Sequence, residues 1–201
     1  MDQWRGKLAV VTGASSGIGA GIVAALLEHG VNVVGLARRL ENMKALANRM
    51  KSAKGTFHPI ACDLRKEPEI LAAFQKVEKL GGADILVNNA GLAFVGKIVD
   101  SNTECMKNIL DVNVLAGAIC VREAIKSMRN RQVKGHVLFI NSTLGHIPAL
   151  LESPLNLYET SKCAVTGLSA ILRREMRQLQ IPIKVSVSNL IIFINISTRV
   201  Q

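Results

Sequence analysis

The one tyrosine of the chain, Tyr158, stands four residues before Lys162 in the stretch Leu155-Asn-Leu-Tyr-Glu-Thr-Ser-Lys-Cys-Ala-Val165. On a helix, positions i and i+4 share a face one turn apart. An ammonium beside a phenol favours the phenolate and lowers a pKa that is otherwise near 10. A pair of this kind would give or take a proton at neutral pH. An exposed helix face also carries such pairs by chance, so the rest of the chain must decide between the two.

A second set of residues suits a phosphate. Thr12-Gly13-Ala-Ser15-Ser16-Gly17-Ile18-Gly19 follows an apolar run and opens a helical pattern. Glycines let the backbone approach a phosphate closely, and a helix N-terminus offers free N–H donors at the positive end of its dipole. The spacing G-x-x-x-G-x-G is not the commonest dinucleotide fingerprint, but its place between the first strand and the first helix points to nucleotide binding. The second apolar run ends Leu36-Ala37-Arg38-Arg39, with no carboxylate before Glu41. An acidic residue there would hold the ribose of NAD, whereas arginine suits the 2′-phosphate of NADP. NADP is therefore the expected cofactor.

The elements that must position these residues alternate. Strands are expected over residues 7–12, 31–36, 56–62, 84–88, 136–141 and 183–187. Helices are expected over 17–28, 41–53, 67–80, 102–129 and 158–179, the fourth as one long helix. Apolar strands bounded by turn residues belong to a sheet buried on both faces. The β-α alternation predicts an α/β fold, a doubly wound Rossmann-type parallel sheet flanked by helices. A length of 201 residues argues for one domain over 1–201.

Composition narrows the function classes. The chain is 49% hydrophobic and 20% charged, a globular profile, with a net charge of +10. The basic residues are scattered and aromatics are few, so neither a nucleic-acid surface nor base stacking is expected. Cys62, Cys105, Cys120 and Cys163 form no C-x-x-C pair, and the histidines are dispersed. No metal site is expected, and the cysteines are expected to be reduced thiols of a cytoplasmic protein. No secretory signal is expected, and the apolar segment 190–196 is too short to span a bilayer.

Several of these residues fall in one order. Thr12-Gly-x-x-x-Gly-x-Gly19, Asp63, Asn88-Asn89-Ala90-Gly91, Asn113, Ser142 and Tyr158-x-x-x-Lys162 resemble the motifs of the short-chain dehydrogenase/reductase family. The opening Trp4 to Gly19 and Leu36-Ala-Arg-Arg39 resemble in particular the insect farnesol dehydrogenase-like branch. The resemblance covers about residues 5 to 188. It implies Asn113, Ser142, Tyr158 and Lys162 as the catalytic set: Tyr158 as acid/base, Lys162 lowering its pKa and holding the nicotinamide ribose. Ser142 would bind the substrate oxygen, and Asn113 would hold a water in the proton relay. It implies a cofactor site of Gly13, Ser15, Ser16, Gly17, Ile18, Gly19, Arg38, Arg39, Asp63, Leu64, Asn89, Ala90 and Gly91, shared with Tyr158 and Lys162. Asp63 would contact the adenine. A homodimer through the two long helices is implied, with Ile109, Ala116, Ala164 and Leu168 as contributors.

The pattern breaks after the sixth strand. Members of the family continue with a Pro-Gly turn, a substrate loop and a seventh strand, whereas here Ser188-Asn189-Leu190 leads into an apolar tail. The final strand and substrate loop are expected to be lacking, with a divergent tail over 189–201. That tail reads locally as a strand, but two intervening residues are too few for a parallel crossover. Two functions follow as expectations. One is an NADP-dependent oxidoreductase acting on a small apolar alcohol or carbonyl compound, such as an isoprenoid alcohol like farnesol. The other is a catalytically impaired nucleotide-binding or interaction protein that keeps the fold.

Overall fold

Apolar residues at successive positions of the first strand force it between two layers. In the computed structural model, which describes residues 1–150 and 154–190, β1 (Leu8–Thr12) is buried along its whole length. Its side chains alternate between two cores, Leu8 and Val10 on one face, Ala9 and Val11 on the other. That is the period of two of a pleated strand, repeated with apolar residues in both phases. β2 (Asn32–Ala37) divides its Val34 and Leu36 from Val33 in the same way.

Four more strands complete one parallel sheet: β3 (Phe57–Ala61), β4 (Ile85–Asn88), β5 (His136–Ser142) and β6 (Lys184–Leu190). The spatial order is β3-β2-β1-β4-β5-β6, and every neighbouring pair is parallel. Parallel neighbours need crossovers, supplied here by α1 (Gly17–Glu28), α2 (Leu40–Arg49) and α3 (Glu67–Lys79). The remaining crossovers run through α4 (Thr103–Leu110), α5 (Ala116–Asn130) and α6 (Tyr158–Gln178). α3 shows why a helix forms: Ile70, Ala73, Phe74 and Val77 lie at helical spacing and are all buried. α1 and α2 pack on one face of the sheet, and α3, α5 and α6 on the other. The strand order reverses between β1 and β4, and their carboxyl ends open a crevice of the kind that binds ligands in such sheets.

Two expectations are refined. The long helix expected over 102–129 is present as an unbroken helical run, but a π-helical turn, Asp111–Leu115, lies within it between α4 and α5. A π turn inserts one extra residue into the ladder, and nothing in the composition of this stretch marks it. The sixth strand also runs three residues further than expected, with Leu190 paired in register with Ser142. The expectations for residues 191–201 lie outside the described residues.

Candidate active site

The carboxyl end of β1 turns directly into the glycine loop. Gly13 and Gly17 have φ of +70° and +54°, backbone that favours glycine. Gly19 is needed for a different reason. A Cβ there would overlap the carbonyl oxygen of Gly13 and lie 2.6 Å from Asn89 Nδ2. The loop is held against β4 by Thr12, whose Oγ1 accepts from the backbone N–H groups of Asn89 and Ala90, both at 3.0 Å. Asn89 Nδ2 donates to Thr12 O at 2.8 Å. Ser16, the N-cap of α1, makes no side-chain cap bond, so the first amides of α1 keep their donors free of side-chain caps.

Arg38 and Arg39, both exposed, follow β2 on the same side. Arg39 Nη2 donates to Ser16 Oγ at 2.6 Å and to Ser15 Oγ at 3.3 Å. The guanidinium and the two hydroxyls thus form one cluster at the loop. Asp63, after β3, is less free than expected. Both of its carboxylate oxygens are bound by the guanidinium of Arg65, and this holds its pKa down to about 2. Leu64 is buried beside it.

The second cluster is built on β5 and α6. Ser142 ends β5, is buried, and its Oγ accepts from Leu144 N at 3.2 Å, capping the turn that follows. Asn156, with φ of +55°, reverses the chain ahead of α6, and its Oδ1 accepts from Leu157 N at 2.7 Å. Tyr158 is then the first residue of α6, buried against Leu144 and Leu155. One turn on, Lys162 donates from Nζ to Ile140 O at 3.0 Å and lies 5.6 Å from the centroid of the Tyr158 ring. The i, i+4 pairing therefore exists, but its electrostatics differ from expectation. Burial raises the pKa of the Tyr158 phenol, opposed only by a hydrogen bond with Ser142. Burial also lowers Lys162 to about 8. Burial thus favours the neutral phenol.

Asn113 lies in the π turn, buried, with both of its amide donors and one acceptor position engaged. Oδ1 accepts from Leu92 N at 2.7 Å, and Nδ2 donates to Leu92 O and to Ser161 Oγ, each at 2.9 Å. The Asn113 side chain thus ties the segment after β4 to α6. Ser161 was not expected in the site; its hydroxyl also donates to Tyr158 O at 2.6 Å. Its position one residue before Lys162 is the only hint of this in the sequence.

One cleft of about 460 Å³ joins both clusters. Its walls include Gly13, Ser15, Ser16, Ile18 and Gly19, then Arg38, Arg39, Asp63 and Leu64, then Asn89, Ala90 and Gly91. Ser142, Tyr158 and Lys162 line the same cleft, together with Leu190. Gly17 and Asn113 do not line it themselves. Gly17 belongs to the adjoining loop, and Asn113 stands behind Leu92, a wall residue. An elongated cleft with guanidinium groups at one end and a buried phenol and amine at the other can hold a dinucleotide and act on a proton.

Comparison with known proteins agrees. A family profile described as short chain dehydrogenase matches residues 7–192. Farnesol dehydrogenase of Aedes aegypti is 45% identical over 190 residues, covering 92% of this chain and 77% of that protein. Dehydrogenase/reductase SDR family member 11 of Homo sapiens is 45% identical over 188 residues, with 92% and 72% covered. Among solved structures, a short-chain type dehydrogenase/reductase from Mycobacterium marinum superposes with a TM-score of 0.86 at 29% identity, covering 92% of this chain and 74% of that one. A short chain dehydrogenase from Burkholderia cenocepacia in complex with NADP gives 0.84 at 28% identity, with 92% and 74% covered. Another from Burkholderia phymatum, in complex with NAD, gives 0.85 at 25%, with 93% and 66% covered. With its glycine loop, its reversal of strand order and its Tyr-Lys pair in one cleft, this chain belongs to the short chain dehydrogenase family of oxidoreductases.

Proposed function

We propose that the protein is a cytoplasmic NADP-dependent oxidoreductase that interconverts a small apolar alcohol and its carbonyl compound, with Tyr158 as acid/base. The observation that carries this reading is the shared cleft, with Arg38 and Arg39 at one end and Ser142, Tyr158 and Lys162 at the other. The adenosine end fits NADP: the Arg39 guanidinium and two serine hydroxyls converge, with Arg38 in the same cleft wall, where a carboxylate would select NAD. The glycine loop also fits, because Gly13 and Gly17 adopt left-handed backbone that turns the chain from β1 into the N-terminus of α1. The bound cofactor supplies the hydride chemistry. Tyr158, a phenol protonated at neutral pH and held so more firmly by burial, donates its proton to the carbonyl oxygen in reduction. Ser142 hydrogen-bonds that oxygen and stabilises its developing charge. Lys162, fixed by Ile140 O, sets an ammonium near the phenol that favours the phenolate left behind. A relay water would rest on Asn113, through its backbone in the π turn or the remaining acceptor position of Oδ1. The apolar walls Leu92, Leu144 and Leu155 suit an apolar substrate such as an isoprenoid alcohol, the substrate class in the name of the Aedes aegypti relative. The four free cysteines fit a reducing compartment.

A second reading, a nucleotide-binding protein without turnover, is favoured by Leu190. This residue pairs with Ser142 and puts an apolar side chain in the wall at the reactive end. Calorimetric titration with NADPH and NADH, followed by NADPH oxidation with a panel of apolar aldehydes and ketones, separates the two. The expected result is tighter NADPH binding, weakened about 10- to 100-fold by Arg38→Asp. Turnover should fall by about 100-fold or more in Tyr158→Phe. Equal affinity for both cofactors would remove the NADP assignment, and binding without any turnover would favour the second reading.

A further inference from the structure

Basic residues that lie scattered along the sequence converge at one end of the fold. All six strands are parallel, so all begin at the edge of the sheet opposite the cleft. Lys7 immediately precedes β1, Lys54 stands just ahead of β3, Lys134 just ahead of β5, and Lys184 opens β6. All four are exposed, and among the described residues none of them is ion-paired. Backbone bonds fix their setting: Asn32 N donates to Lys7 O and Lys184 N to Gly135 O, both at 2.9 Å. Lys54 is placed at this end by Gly30, where a Cβ would lie 3.6 Å from Lys54 Cβ and 3.1 Å from Arg5 Cγ. Neighbouring strands are about 5 Å apart, so from β3 to β6 the lysines span a row of about 25 Å.

The carboxylates at this end do not answer that row. Asp84 is buried and bound by Arg131 and by Leu8 N, and Asp2 lies 3.9 Å from Arg5. Glu28, Glu78 and Glu175 stand near the ends of α1, α3 and α6, where Lys79, Arg129 and Arg177 at helix ends offset them. Cations at helix C-termini also have the ordinary task of complementing the helix dipole. The lysines at the strand starts have no such task. Two leucines stand at the same end, Leu80 after α3 and Leu179 after α6, 43% and 58% exposed. A row of flexible ammonium groups flanked by exposed leucines suits an anionic surface with an apolar interior. A nucleic acid would use the amines but not the leucines, and the chain has few aromatics for stacking on bases. We propose that this end of the molecule is a peripheral docking surface for an anionic lipid leaflet, with Lys7, Lys54, Lys134 and Lys184 at the headgroups and Leu80 and Leu179 entering the interface. Docked in this way the molecule turns its cleft away from the leaflet, open to the cofactor. The proposal does not depend on the activity proposed above.

Cosedimentation of the whole chain with phosphatidylcholine vesicles containing about one-third phosphatidylserine tests it, with pure phosphatidylcholine vesicles alongside. The parent should bind the anionic vesicles at about 0.1 M salt, at least tenfold more tightly than the neutral ones, and release them at about 1 M. Each lysine near the leaflet should strengthen binding about fivefold, so Lys7→Gln, Lys134→Gln and Lys184→Gln combined should weaken it about 100-fold. Lys44→Gln, Lys66→Gln and Lys107→Gln combined remove the same charge from helices toward the cleft end, and should bind within about threefold of the parent. Leu80→Ser with Leu179→Ser should weaken binding about tenfold. A parent that ignores anionic vesicles, or binds both kinds equally, would overturn the proposal. So would an equal loss in the two triple variants, which would reduce the effect to net charge. Binding of duplex DNA through the same lysines, with vesicles ignored, would give the surface to nucleic acid instead.

Discussion

At the scale of single residues, burial governs the pair at the head of α6. Lys162 is 6% exposed, and the same burial that holds its ammonium beside Tyr158 penalises its charge. Its pKa in the folded protein is about 8, against 10.5 in the unfolded chain. Between those values the unfolded state binds the extra proton, so stability rises with pH across that window. Below pH 8 the charged lysine costs the fold on the order of 3 kcal/mol, partly offset by the hydrogen bond to Ile140 O. Lys162→Met is therefore expected to be more stable than the parent at pH 7 by about 1–2 kcal/mol, with the gap closing toward pH 10. Paired urea unfolding curves at pH 7 and pH 10 measure this directly. A variant less stable at pH 7, or a gap independent of pH, would show that Lys162 carries no such cost. The functional role proposed for the residue explains why a destabilising charge is kept in place.

At the scale of elements, the site depends on close approaches that only some residues permit. Gly19→Ala is expected to cost about 1–3 kcal/mol, because the new methyl must displace the Gly13 carbonyl or the Asn89 amide. NADPH affinity should fall as well, since Gly13 belongs to the loop between β1 and α1 and Asn89, after β4, holds that loop in place. Denaturant unfolding together with calorimetric titration checks the pair of effects, and an unperturbed variant would mean that the loop has room to spare. The same residues show what the sequence reveals and what it hides. The bounds of α1 are legible because glycines and an N-cap serine precede an apolar helical pattern. The six strands are legible because their apolar residues run in both phases, as burial on two faces requires. The π turn at Asp111–Leu115 is not legible, since an added residue in a helix leaves the composition ordinary and shifts the apolar stripe by less than a turn. The Arg65–Asp63 fork is equally silent, because two residues spaced i, i+2 in a turn meet only through side-chain torsions. The lowered phenol pKa expected for Tyr158 fails for a related reason. Spacing places the lysine, but only the packed structure gives the depth of burial that opposes it.

At the scale of the whole molecule, the two faces of the sheet are finished differently. Leu138 and Ile140 of β5 are half-buried on the α1 face, whereas Val137 and Phe139 on the other face are wholly covered by α5 and α6. Those two helices have an outer side that the single chain does not use. Ile109 and Ala116, expected at a dimer interface, are buried within the chain, where each packs in its own core rather than facing outward. Ala164, however, is exposed, and so are Gly167 and Ile171, three and seven residues further along α6. This spacing forms one stripe on the helix, narrow enough at Ala164 and Gly167 for another helix to approach closely. Leu168 lies half-buried beside it, in the groove between α5 and α6. A twofold dimer would set this stripe against its own copy. Gly167→Glu tests the idea without harming the monomer. A side chain at Gly167 would meet nothing within 4 Å, and replacing a mid-helix glycine should stabilise α6 by about 0.5–1 kcal/mol. The glutamates would face each other across the twofold axis, so the dimer alone would suffer. Sedimentation at micromolar concentration should give a dimer for the parent and a monomer of equal or higher thermal stability for Gly167→Glu. A parent that sediments as a monomer, or a variant that remains a dimer, would place the association surface elsewhere or nowhere.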